Sequence, residues 1–285
     1  TSLLGNLMGA WTAVLIPQRL VRSGSEVSAA LRALGVLQGM TIPLLSLPNA
    51  VISALGLVLL PKLSQAAALG RRELCRHRVD RALSGAAALL FPACALLCIL
   101  CPYLGRALFK DSAVGGYALP LSLAIALGGL ESVLAVCLNG LGRQSQGARN
   151  GLVCGAVQLG LTWWRMALPG VGLRGYVEAL LLSTLLGLWL NWRSVSRALD
   201  MAPRPFAWIV APSLSALLAG LCGNLLLPIL LHSGVGLVSA CAATAAFVAL
   251  LYLSAMAAQG ALPPSRQRSS AAKYSPSTGS SQKRT

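Results

Sequence analysis

Acidic residues are scarce in this sequence. The 285 residues hold 7 Asp and Glu against 23 Lys and Arg, and charged residues of both signs reach only 11%. A soluble domain carries about 25%, so a chain of this length cannot clothe a water-exposed surface. Histidine occurs twice, at His77 and His232, in separate connections. There is no metal-ligand cluster, no phosphate-cradling glycine loop and no nucleophile beside a paired base. A soluble-type enzyme site is therefore not expected, and no cofactor is implied. Aromatic residues make up only 5%, too few to line a drug-binding cavity with rings.

Apolar residues are abundant, at 56%, and the mean hydropathy is +0.72. The basic excess of +16 does not point to nucleic acid, because the basic residues separate apolar runs instead of covering one folded domain. Cys94, Cys98 and Cys101 share a helix face within an apolar run and read as small packing residues. Thr1 opens the chain with no basic segment before the first apolar run. A signal peptide is not expected, and the chain reads as a piece lacking an N-terminal portion.

A hydrocarbon core about 30 Å thick takes about 20 helical residues. Runs of that scale fall near 2–17, 35–61, 82–104, 116–138, 150–169, 174–192, 207–231 and 234–258. They are too long and too continuous for barrel strands, and lipid permits only helices or closed barrels. The expected fold is an all-α polytopic bundle of about eight spans over residues 1–258. Residues 259–285, rich in Ser, Pro, Lys and Arg, read as a disordered basic tail. The connections at 62–81, 139–149 and 193–206, with the tail, carry 16 of the 23 basic residues. Positive-inside bias puts that set, and the C-terminus, in the cytoplasm of a plasma-membrane protein. Residues 64–83, where Arg interrupts apolar residues at helical spacing, read either as an interfacial helix on anionic lipid or as a solvated linker.

Polar residues inside the runs are the candidate functional groups. Pro43, Pro48 and Asn49 interrupt "IPLLSLPNAVISALGLVLLP", which Pro61 closes. A proline frees a carbonyl that needs a partner in the membrane, so a kink here suits the wall of a water-filled cavity. Glu131 is an acid well inside a span, about 10 Å from its inner end. A carboxyl at that depth is costly and marks a proton, cation or substrate path. Gln38, Asn6, Asn139 and Gln158 can line the same cavity or join helices. Trp163, Trp164 and Arg165 read as an aromatic belt with a snorkelling Arg.

The order of "VLIPQRL" at 14–20, "GVLQGMTIPLLSLPNAVISALGLVLLPKLSQA" at 35–66, "LNGLGRQ" at 138–144 and "GVGLRGYVEALLLS" at 170–183 resembles the C-terminal part of the stage V sporulation protein B family. These are polysaccharide-biosynthesis transporters of the superfamily that also holds multidrug (MATE) exporters and MurJ-type lipid II flippases. The resemblance spans about residues 1–258. It implies the C-terminal lobe, plus two further helices, of a two-lobed carrier that moves lipid-linked sugar between leaflets by alternating access. Where MurJ-type proteins carry a cation before the helix proline, this chain has Pro43, which favours the sporulation-type branch. Arg19, at the outer mouth, would meet a pyrophosphate headgroup or anchor at the interface. The implied partners are a lipid-linked saccharide, anionic lipids and wall-synthesis enzymes, with no nucleic acid. Two alternatives are a cation-coupled multidrug exporter of the same fold and a non-transporting scaffold for wall synthesis.

Overall fold

The computed structural model describes residues 10–259, apart from 12, 13, 20, 22–25, 111, 169, 170 and 203. The protein is an all-helical membrane bundle, with no strand among the described residues. From Val27 onward, eight long helices follow one another among the described residues: α1 (Val27–Leu45), α2 (Leu47–Ala68), α3 (Arg72–Phe109), α4 (Ala118–Gly140), α5 (Gln144–Arg165), α6 (Leu173–Leu199), α7 (Phe206–His232) and α8 (Leu237–Ala258). All but α5 are long and apolar enough to cross a membrane.

Two tight turns set the antiparallel order. After α2, Gly70 takes φ 65°, its N–H reaches Ala67 O, and the Arg71 N–H reaches Ala66 O at 3.0 Å. This pair of bonds satisfies the last carbonyls of α2 and needs a left-handed residue, which glycine supplies cheaply. Gly142, at φ 72°, repeats the arrangement after α4 with Asn139 and Leu138. The α2–α3 and α4–α5 turns therefore lie at one end of the bundle.

Side-chain bonds confirm what shares that end. Trp208 Nε1 donates to Asp80 at 3.0 Å, Arg204 pairs with Asp80 at 3.5 Å, and Arg76 Nε donates to the Leu199 carbonyl at 2.6 Å. The start of α3 is thus clamped onto the α6–α7 connection. At the opposite end the Thr41 hydroxyl sits 3.0 Å from the Val114 carbonyl, in the α3–α4 connection. Arg165 also pairs with Glu178 there, between α5 and α6. The basic connections between helices, Arg71 and Arg72, Arg143 and Arg204, gather at the first end.

Helix α4 is the centre. Two-thirds (67%) of its most apolar window is buried, against 22% for α2 and for α8. It packs on α2, α3 and α6, while α5 leans on α6, α7 on α3, and α8 on α7.

The structure revises four sequence readings. The apolar run at 35–61 is not one regular helix. It is part of a longer path from α1 into α2, with a π-helical turn at Leu37–Thr41 and a break at Ser46. Ser46 keeps right-handed backbone (φ −85°, ψ −1°) and its N–H still bonds Ile42 O, so the path bends without reversing. Pro43 and Pro48 each sit in the first turn of a new segment, where a missing N–H costs least. Pro61 does not close the helix; α2 continues through it to Ala68. Residues 64–83 are neither an interfacial helix nor a linker. They are the end of α2, the Gly70 turn and the start of α3, held by the Asp80 and Arg76 contacts. Finally, the run at 150–169 forms α5, which has 22 residues but is too polar to count as a free-standing span. The first run, 2–17, lies largely outside the described residues. Asn6 and the tail from residue 260 lie wholly outside them.

Candidate functional site

Glu131 leaves the central helix towards α6. Its carboxyl lies on bare backbone at Gly187: a Cβ placed there would stand 2.5 Å from Glu131 Cδ and 2.9 Å from Oε2. Glycine at 187 is thus what makes room for the carboxyl. Among the described residues Glu131 makes no hydrogen bond or ion pair. A membrane-embedded acid with no fixed partner is free to exchange a proton or take a cation.

A polar track runs from Glu131 towards the basic end. Asn191 stands four residues beyond Gly187, hence on the same face of α6. Asn150 Nδ2, on α5, donates to Asn191 Oδ1 at 2.9 Å and to Ser194 Oγ at 3.1 Å. Asn150 and Asn191 are both buried. Thr184, three residues before Gly187, faces Gly128 of α4, with its Cγ2 3.8 Å from where a Cβ at 128 would sit. The hydroxyls of Ser183, Thr184 and Ser194 bond back to their own helix, at Leu180 or Leu190. This accounts for one polar residue of α5: buried Asn150 faces α6, and its bonds to Asn191 and Ser194 join the two helices.

The sequence candidates do not converge on one site. Asn49 touches the far flank of α4. Its Oδ1 is buried without a hydrogen-bond partner and lies 2.7 Å from where a Cβ at Gly129 would sit. Positions 129 and 131 point about 200° apart around α4, so Asn49 and Glu131 flank the helix from opposite sides. Two serines bond back to the backbone beside the kink: Ser46 Oγ donates to Pro43 O at 3.0 Å and Ser53 Oγ to Asn49 O at 2.9 Å. Gln38, in the π turn, meets the Tyr176 hydroxyl of α6. Pro43 is exposed and Pro48 buried. Arg19 lies over the Trp163 ring, 4.3 Å from its centroid, which is the geometry of an interfacial anchor. Asn139 is exposed, at the end of α4 next to the Gly142 turn, and Gln158 is half-buried on α5.

Sequence reasoning missed the Asn150–Asn191–Ser194 cluster. Asn191 sits in "LNWRS", at the very end of the 174–192 run and close to Arg193, where a lone amide does not stand out. The signal available was α5 itself, whose Asn150, Cys154, Gln158 and Thr162 recur at four-residue spacing. Among the described residues no group of three or more His, Cys, Asp or Glu could hold a metal. Cys98 and Cys101, three positions apart on α3, are free thiols.

Comparison with known proteins adds one likeness. Over 204 residues, 70% of this chain, the sequence is 23% identical to the stage V sporulation protein B of Bacillus subtilis (strain 168). The chain spans 38% of that relative's length. No family model matches the chain. No solved structure matches it. The protein is thus a multi-pass membrane protein of all-helical build, similar in sequence to a stage V sporulation protein.

Proposed function

We propose that this chain forms one wall of a transporter that moves a lipid-linked sugar precursor between leaflets by alternating access. The observation that carries the proposal is the combination of a polytopic bundle, the likeness to stage V sporulation protein B, and an unpartnered acid on its central helix. In this reading Glu131 is the coupling group. Proton or cation binding on it changes how tightly α4 sits on Gly187 of α6, and so biases the two access states. The basic end faces the cytoplasm. The kinked α1–α2 path, exposed along most of its length, faces the substrate route. Anionic lipids and wall-synthesis enzymes are the partners expected at the basic end.

A half-path open to lipid cannot shield a sugar-pyrophosphate headgroup, because polar groups are costly in hydrocarbon. The reading therefore needs a second, N-terminal lobe around the same path. The test is leaflet accessibility of a labelled polyprenyl-linked sugar in proteoliposomes, comparing residues 1–285 alone with the same residues joined to an N-terminal lobe of the sporulation type. Movement only by the joined protein supports the proposal. Movement by residues 1–285 alone overturns it. A joined protein that exports small cations and moves no lipid-linked sugar replaces it with a multidrug exporter.

A further inference from the structure

A cavity of about 890 Å³ lies away from the Glu131 track, with α3 and α4 as its floor and α6 and α7 as its walls. Its lining is mostly hydrocarbon, including Ala95 and Ile99 of the floor and Leu181, Leu217 and Leu221 of the walls, with Ser122, Ser213 and Asn224 among its uncharged polar side chains. Leu217 and Leu221 are more than half exposed, so the slot opens sideways from the bundle. Along α3 it runs from Phe91 to Arg106, about 22 Å at helical rise. One leaflet of hydrocarbon is about 15 Å deep, so the slot is long enough to cross a leaflet and reach its headgroup level.

The mouth is cationic. Tyr103 and Arg106 close the slot at the end opposite the basic connections. A second hollow, of about 520 Å³, shares Pro120 and Leu181 with the slot and adds Tyr117 and Arg174. Two exposed guanidiniums therefore stand at adjoining hollows that share Pro120 and Leu181, Arg106 from α3 and Arg174 from α6. The acid that lines this second hollow, Glu178, is paired with Arg165. Arg106 and Arg174 form no ion pair among the described residues. Two guanidiniums over an apolar slot match a phosphate with a hydrocarbon chain attached, and two tyrosines at that level suit the headgroup boundary.

We propose that this slot binds one anionic phospholipid of the bilayer, its phosphate between Arg106 and Arg174 and one acyl chain along α3. The site is separate from Glu131 and does not depend on the transport reading. A slot one leaflet long fits an acyl chain; a long polyprenyl tail overruns it.

The full chain in detergent is titrated by native mass spectrometry with phosphatidylglycerol, phosphatidylcholine and a long-chain polyprenyl phosphate. One tight phosphatidylglycerol adduct is expected, favoured over phosphatidylcholine by about tenfold or more. In R106Q/R174Q that preference disappears. In Leu217→Trp, and separately in Leu221→Trp, the adduct itself disappears although both arginines remain. Both leucines are exposed on the wall, so thermal melting of these variants should match wild type and exclude misfolding. Equal affinity for the two phospholipids in wild type overturns the proposal. So does an adduct that survives in both tryptophan variants, and so does polyprenyl phosphate displacing phosphatidylglycerol.

Discussion

Adding one methyl group at Gly187 tests the position of Glu131 directly. In general, Gly→Ala within a helix gains about 1 kcal/mol of propensity. At Gly187 the new Cβ would stand 2.5 Å from Glu131 Cδ, closer than any real contact, so the carboxyl must swing away. Forcing an off-rotamer side chain costs about 0.5–1.5 kcal/mol, and overpacking about 1–3 kcal/mol. Gly187→Ala should therefore end up between neutral and about 2 kcal/mol destabilising. Two neighbours on the central helix calibrate this. At Gly128 the nearest atom is Thr184 Cγ2 at 3.8 Å, an ordinary contact, so Gly128→Ala should stabilise by up to about 1 kcal/mol. At Gly129 the Cβ would meet both Leu90 Cδ1 at 2.5 Å and Asn49 Oδ1 at 2.7 Å, so Gly129→Ala should be the worst of the three. The decisive variant is the double change Gly187→Ala with Glu131→Ala. Removing the carboxyl removes the clash, so the pair should couple favourably by about 1 kcal/mol or more. The assay is reversible unfolding of purified protein in mixed micelles. If Gly187→Ala is as benign as Gly128→Ala and shows no coupling to Glu131→Ala, then Glu131 does not lie on α6, and the coupling role built on that contact fails.

Glu131→Gln keeps the shape and removes the ionisable group, so transport by the joined protein should lose its dependence on pH or on the coupling cation; an unchanged pH profile makes Glu131 structural. For orientation, Ser145 and Ser233 are both exposed, at opposite ends of the bundle. In a cysteine-free background, Cys at Ser233 should react with an impermeant thiol reagent on intact cells and Cys at Ser145 should not; the reverse labelling inverts the topology. Asp80→Asn retains the Trp208 bond but weakens the Arg204 pair, whereas Asp80→Ala loses both. Asp80→Ala should cost about 1–2 kcal/mol more than Asp80→Asn, and equal melting temperatures would show that the clamp at the start of α3 is not formed.

The sequence by itself determined that this is a helical membrane bundle. Lipid forbids unsatisfied backbone, so long apolar runs leave helices as the solution. It also placed connections at 62–81 and 139–149, on the basic residues that separate the apolar runs. It marked Glu131 as exceptional, because a carboxyl in an apolar run has no cheap explanation. Only the tertiary structure decided what these residues touch. Run length could not show that α2 passes through Pro61, because an exposed proline costs a helix one bond and need not end it. Pattern could not tell that residues 72–83 extend a spanning helix, because their stability comes from Asp80, Trp208 and the Leu199 carbonyl, more than a hundred residues apart in sequence. The polarity of α5 looked like a weak span until Asn150 met Asn191. Asn49 and Glu131, both conspicuous in sequence, proved to lie on opposite flanks of α4. Rotation about a helix axis and the choice of neighbour are set by packing, and packing is decided by small residues such as Gly129 and Gly187, whose importance shows only once another helix lies against them.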